Sequence, residues 1–129
     1  MQIYYFTRTS RSKTIAEELA KRYSVTAQKI TDGKNWSGAL NYIKAGFMAT
    51  RKKSLPATYQ KPVKNEPILL VFPVWAGTFP PAVKTFISEV GRENITAIPT
   101  SLGSTIKDRD GFIKIIDLVG DSISAPKNI

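Results

Sequence analysis

Pro67-Ile-Leu-Leu-Val-Phe-Pro-Val-Trp-Ala-Gly-Thr-Phe-Pro-Pro81 contains the most apolar run of this chain, and the way that run ends decides the fold. Ile68, Leu69, Leu70, Val71 and Phe72 show no polar alternation, so the strand they predict is buried on both faces. Only a sheet covered on each side supplies such surroundings. The run then breaks into the small residues Ala76 and Gly77. Pro80-Pro81 opens a helix, because proline is tolerated at a first helical position. Val83, Phe86, Ile87 and Val90 form the apolar stripe of that helix, and Gly91 suits its C-terminal cap.

Working toward the amino terminus, residues 2–6 are apolar and aromatic and read as a buried strand. A hydroxyl-rich loop, Thr7-Arg-Thr-Ser-Arg-Ser-Lys13, follows. A helix then begins near Ser12, with Ile15, Leu19 and Tyr23 at helical spacing and Ala16 and Ala20 beside them. Residues 25–30 are more polar and predict a short edge strand. Trp36, Leu40, Ile43 and Phe47 predict a second helix over residues 37–50. The basic connection 51–66, densest at Arg51, Lys52 and Lys53, is long for a compact domain, which points to a site or to disorder.

Working toward the carboxyl terminus, residues 95–101 read as a fourth strand. Residues 105–111 hold at most a turn or two of helix. Residues 112–119 form a fifth strand, whose Lys114 and Asp117 suit an edge. Pro126 interrupts the remaining residues 120–129, leaving no room for a fifth helix of average length, about 11 residues. Strands alternating with helices predict one α/β domain over residues 1–129. Its sheet is parallel, five-stranded and doubly wound, with the fourth helix short and the fifth missing.

The 129 residues suit a single domain, and 42% hydrophobic content supports one sizeable core. There is no cysteine and no histidine, which excludes disulfides, thiolate or imidazole metal ligation and the usual general base. No metal site and no catalytic side chain is expected; chemistry must come from hydroxyls, carboxylates, lysines or a bound cofactor. No signal-peptide pattern and no membrane span is visible, so a soluble cytoplasmic protein without membrane contact is expected. The net charge of +9 suggests an acidic partner, a nucleic acid or an anionic ligand, although surface lysine for solubility accounts for it equally well. No motif of a nucleic-acid-binding fold is present, and no nucleic-acid partner is expected.

Three segments carry candidate chemistry. The first is the loop of Thr7, Arg8, Thr9, Ser10, Arg11, Ser12 and Lys13, between a strand's carboxyl end and a helix start. The first helical N–H groups lack backbone partners and the helix dipole is positive there, so a phosphate fits. The hydroxyls can bond phosphate oxygens, and Arg8 or Arg11 can add charge. An ordinary polar loop with a serine N-cap is the other reading. The absence of glycine rules out a Walker loop and a dinucleotide fingerprint. The second segment is Pro73, Val74, Trp75, Ala76, Gly77 and Thr78. Trp75 offers a flat apolar face, and Ala76 and Gly77 offer backbone that a ring can approach, unless Trp75 is simply core. The third, Ser101, Leu102, Gly103 and Ser104, is small and polar and offers backbone N–H groups to a ring edge. These segments follow strands one, three and four. In the known sheet order 2-1-3-4-5 those ends are adjacent at the switch point, where ligands of open α/β sheets bind.

With these residues in place, the sequence resembles the flavodoxin family over nearly its whole length. Pro73-Val-Trp-Ala-Gly-Thr-Phe-Pro-Pro-Ala-Val-Lys-Thr-Phe86 is similar to the strand-loop-helix of short bacterial flavodoxins, and Asn41-Tyr-Ile-Lys-Ala-Gly-Phe47 resembles their second helix. The loop at 7–13 resembles their Thr/Ser-x-Thr-Gly-Asn-Thr phosphate loop, with Thr7, Thr9 and Ser12 carrying hydroxyls and Ser10 and Arg11 replacing Gly and Asn. The resemblance implies a flavodoxin-like fold and FMN as cofactor. It places Trp75 against the isoalloxazine ring, Ala76 and Gly77 near its redox-active nitrogen, and residues 101–104 in the second ring-contacting loop. A positive φ at position 10 costs serine about 1 kcal/mol. The loop after the fourth strand lacks the aromatic that often covers the ring, and the strongly basic charge contrasts with the acidic family.

The resemblance implies electron transfer through bound FMN to a redox partner protein or a small-molecule acceptor. Two alternatives stand beside it. One is an FMN-dependent NAD(P)H reductase, with the basic segment 51–66 holding a phosphate-bearing substrate. The other is a binding module that keeps the fold and has lost FMN. Positive charge stabilises an anionic reduced flavin, so a higher potential than in acidic relatives is expected. In the family, the fifth helix covers the same sheet face as the first. Its absence is expected to leave apolar surface near strands three to five, to be covered by a second chain in a homodimer.

Overall fold

The computed structural model describes residues 1–32 and 57–129. Their elements are β1 (Gln2–Tyr5), α1 (Arg11–Tyr23), β2 (Ala27–Lys29), β3 (Ile68–Pro73), α2 (Pro81–Val90), a 3-10 turn (Arg92–Asn94), β4 (Ile95–Ser101), β5 (Lys114–Ile115) and β6 (Leu118–Val119). The strands lie in the order β2-β1-β3-β4-β5, with β6 also on β4, and every pair is parallel. β3 sits at the centre, as its uninterrupted apolar run requires. The expected helix over 37–50 and the densest part of the basic connection lie outside the described residues.

The period-two alternation of strand side chains sorts the core into two layers. Tyr4, Leu70 and Phe72 point to one face and meet Val83 and Phe86 of α2. Ile3, Leu69, Val71 and Ile98 point to the other and meet Ile15 and Leu19 of α1. Each such side chain contributes about 1.5–3 kcal/mol by leaving water. Among the described residues, no helix is long and apolar enough to cross a membrane.

The expected fifth strand is split into β5 and β6, although both keep one register on β4: Ala97 opposes Ile115 and Thr100 opposes Leu118. Pro99 explains the gap. Ala97 and Ser101 accept N–H bonds from Ile116 and Gly120, so the residue between them faces the same edge. Proline has no N–H to give there, and the ladder lapses for one repeat.

Two expectations are corrected at the carboxyl end. Residues 105–111 form no helix. The loop there is pinned by Arg92, whose guanidinium lies 4.8 Å from the Phe112 ring centroid and 5.6 Å from that of Phe79. Arg92 also grips Asp108 through bonds of 2.8 and 2.6 Å. The apolar surface expected over β3 and β4 is not open either. The tail runs over α1 and closes it: Ala125 is buried among Leu69, Val71 and Ile98, with Ile123 and Ile129 beside it. Arg11 donates to the Gly120 carbonyl, Arg22 to the Pro126 carbonyl, and the Ala125 N–H to Glu18 at 3.2 Å. An irregular strap thus takes the place of a fifth helix over β3 and β4.

Candidate functional site

Three loops at the carboxyl ends of β1, β3 and β4 build the site. The first leads into α1. Ser10, its N-cap, is left-handed with φ 70° and ψ −1°, and its side chain makes no capping bond. The Thr14 N–H bonds the Ser10 carbonyl at 3.0 Å, so the N–H groups of Arg11, Ser12 and Lys13 precede the helical ladder. No acidic side chain lies in that first turn. The hydroxyl of Thr7 is buried and has no hydrogen-bond partner, which marks a donor waiting for an acceptor.

The second loop continues β3. The Val74 N–H bonds the Thr100 carbonyl at 2.9 Å, carrying the pairing with β4 past the strand's end. Trp75 and Thr78 then exchange backbone bonds of 2.9 and 3.0 Å around a two-residue turn. Both central residues have positive φ, 52° at Ala76 and 76° at Gly77, as a type I′ turn demands. The Gly77 carbonyl accepts the Lys107 N–H at 3.0 Å. The third loop is held by Ser101, whose hydroxyl accepts the Ser104 N–H at 3.0 Å and donates to the Ser104 carbonyl.

These loops enclose one open pocket of about 420 Å³, within the ~300–1,000 Å³ of small-molecule sites. Its walls are Arg8, Thr9 and Arg11 from the first loop, Pro73, Val74 and Trp75 from the second, and Leu102, Gly103 and Ser104 from the third. No carboxylate is among them. Trp75 stands edge-on to Phe6 at 5.7 Å between ring centroids, and the Arg8 guanidinium lies 5.9 Å from the Trp75 ring centroid. Trp75 is therefore half core, half wall.

The remaining predicted residues lie around this pocket without lining it. Thr7 is half-buried, with its hydroxyl shielded from solvent, and Ser10 is exposed at the bend of the loop. Ser12 is buried and spends its hydroxyl on Thr100, 3.0 Å away, so it holds the loop in place instead of offering a free donor. Lys13 is exposed and lies 3.9 Å from Glu17. Ala76, Gly77 and Thr78 shape the turn behind Trp75, and Ser101 braces the third loop. Lys107 was missed by sequence reasoning. It sits in a stretch without pattern, and only the folded loop brings it against Gly77.

A larger groove, about 660 Å³, lies at the opposite end of the strands, between Tyr59, Lys61, Glu66, Glu89 and Asn94. It is built from the described part of the basic connection, residues 57–66. That segment packs at the start of β1, where the Gln2 amide bonds the Val63 carbonyl at 3.0 Å, and the Tyr59 hydroxyl meets Glu89 at 2.8 Å. Burial chiefly, together with Glu89, raises the Tyr59 pKa well above its ordinary value.

No protein-family model matches the sequence, and no curated protein sequence is significantly similar to it. Solved structures do match. A flavoprotein of Lactobacillus acidophilus, crystallised in complex with FMN, superposes with a TM-score of 0.69 over 93% of this chain and 91% of its own, at 18% identity. The fold is flavodoxin-like. A protein designated a flavoprotein from Bacteroides uniformis shares this flavodoxin-like fold with a TM-score of 0.67, at 20% identity, over 94% of this chain and 90% of its own. Another from Bacteroides eggerthii gives 0.58 at 17% identity, over 78% and 69%. In the flavodoxin-like frame the three loops stand at the switch point of the sheet, where the strand order reverses.

Proposed function

We propose that this chain binds FMN in the pocket between the α1 start and Trp75 and works as an electron-transfer protein. One observation carries the reading: a single cavity has Arg8, Thr9 and Arg11 on one side and Val74 and Trp75 on another. A ligand with an anionic end and a flat ring suits both sides at once. The crystallisation of a flavoprotein of the same fold with FMN supports the choice of cofactor.

Each residue then has a task. The N–H groups of the first α1 turn and the Thr7 hydroxyl would hold phosphate oxygens, with Arg8 and Arg11 supplying charge. Trp75 would present its face to the ring, and the 101–104 loop would border the ring edge. Ser12 positions the first loop through Thr100. When bound, FMN supplies the redox chemistry, while the protein sets orientation and electrostatics. The described part of the basic connection packs at the far end of the sheet, so it lends no support to a reductase with a substrate held there.

Fluorescence titration of the purified chain with FMN and with riboflavin tests the reading. FMN fluorescence should be quenched on binding, and riboflavin should bind at least about tenfold more weakly, since a charge-assisted bond is worth about 1.5–3 kcal/mol. No quenching at high protein concentration would exclude FMN. Rapid NAD(P)H oxidation by the loaded protein with a quinone acceptor would replace the carrier by a reductase.

A further inference from the structure

Gly120 stands where the carboxyl-terminal strap leaves β6, and it holds two of the three site loops at once. Its N–H donates to the Ser101 carbonyl at 2.9 Å, at the base of the third loop. Its carbonyl accepts from the Arg11 guanidinium, which belongs to the first loop. Arg11 is also a wall of the pocket. Beyond Gly120 the strap is fastened to α1 twice more, by Arg22 on the Pro126 carbonyl and by the Ala125 N–H on Glu18 at 3.2 Å. Neither Arg22 nor Glu18 lines the pocket.

A guanidinium has five N–H donors, so the bond to Gly120 leaves most of them for an anion. A long side chain that is free in water must give up its rotamer freedom when an anion arrives. Here the strap has already removed much of that freedom, and an anion entering the pocket meets a guanidinium held in advance. Gly120 has a φ of 123°, where a side chain is strained, yet a Cβ added there would meet nothing within 4 Å. A substitution at this position therefore disturbs the carbonyl under Arg11 through the backbone and not through a clash.

We infer that the strap regulates the anion-binding end of the pocket: docked on α1 it holds Arg11 as a preset phosphate ligand, and undocked it gives up that hold. The inference rests on the FMN reading above and adds a control to the same site. Gly120 and the strap are positioning elements, because they act through Arg11. Such coupling is reciprocal, so a ligand that binds through Arg11 must hold the strap down by the same factor. A ligand without a phosphate gains nothing from Arg11 and leaves the strap as it was.

The test measures dissociation constants of FMN and riboflavin, by fluorescence, for wild type, Gly120→Ala and the double variant Glu18→Ala with Arg22→Met. It also follows hydrogen exchange of residues 121–129 in the wild type and in Arg11→Met, with and without each ligand. Both strap variants should bind FMN about threefold to tenfold more weakly, and riboflavin within about twofold of wild type. FMN should slow exchange of the wild-type strap by about threefold to tenfold, and riboflavin should not. In Arg11→Met the effect of FMN on the strap should vanish. Unchanged FMN affinity in both strap variants overturns the inference, and so do equal losses for FMN and riboflavin, which would mean general damage to the fold. Strap exchange in the wild type that bound FMN leaves unchanged overturns it as well, and that readout stands even where a variant fails to fold. Each of these results leaves the cofactor reading in place. A wild-type protein that takes up no FMN overturns both.

Discussion

Ser12 Oγ and Thr100 Oγ1 lie 3.0 Å apart, both buried, and tie the first turn of α1 to the end of β4. Thr100 also reaches the Phe72 carbonyl at 3.4 Å, which links all three site loops through one short polar chain. Thr100→Val leaves the buried Ser12 hydroxyl without this partner, at a cost of about 1–3 kcal/mol, and should lower the urea midpoint clearly. Ser12→Ala should cost less, because Thr100 keeps the Phe72 carbonyl. The double variant Ser12→Ala with Thr100→Val should cost less than the sum of the single changes, because it removes both polar groups. Strict additivity in that cycle would show that the contact carries no energy.

Ser10 bears a backbone strain that glycine would not. Its φ of 70° is left-handed, and its side chain makes no compensating cap bond. Relief of about 1–2 kcal/mol is partly offset by the greater freedom of glycine in the unfolded chain, about 0.4–1 kcal/mol. Ser10→Gly should stabilise by about 0.5–1 kcal/mol, and Ser10→Val should destabilise by more than that. Thermal unfolding of the two variants decides the sign.

Arg92 pins the loop that carries Lys107, through Asp108 and the rings of Phe79 and Phe112. Arg92→Met should cost about 1–2 kcal/mol at neutral pH, from lost cation–π and ion-pair contacts. The hydrogen bond from Arg92 is the main cause that holds the Asp108 carboxyl below its ordinary pKa. A carboxyl depressed in the folded state adds stability above its unfolded pKa, about 3.9, and loses it as pH falls through the lower folded value. The gap between wild type and Arg92→Met should thus narrow below about pH 4. A gap that widens with acid contradicts the assignment.

The carboxyl-terminal strap should be essential to the α1 face. Deleting residues 122–129 removes Ile123, Ala125 and Ile129 from the cluster around Val71 and Ile98. A loss of about 2 kcal/mol or more is expected, given about 1.5–3 kcal/mol per fully buried aliphatic side chain. Binding of a hydrophobic dye, or self-association in light scattering, should appear only in the truncated chain. Equal urea midpoints for the two chains would mean that the strap contributes nothing.

Much of the fold was legible because apolar periodicity reports burial directly. The run Ile68–Pro73 had to be central, and the polar residues 27–29 had to sit at an edge. Gly91 closes α2 as expected, its N–H bonding the Ile87 carbonyl. The loops of the site were legible too, since hydroxyls, Trp75 and Gly77 stand out at strand ends. Their internal roles were not. Ser12 reads as a donor for a ligand, yet in the fold it faces Thr100. That partner is distant in sequence, and no local pattern reports such a contact.

What the residues alone determine is the alternation of strands and helices, the parallel sheet and the end of it at which loops gather. Those features follow from periodicity, proline and glycine, which act within a few neighbours. Tertiary structure alone decides that the tail straps α1, that Arg92 replaces a helix as the anchor of its loop, and that Lys107 stands at Gly77. Each depends on groups brought together across the chain by packing, so their energies exist only once the sheet has formed.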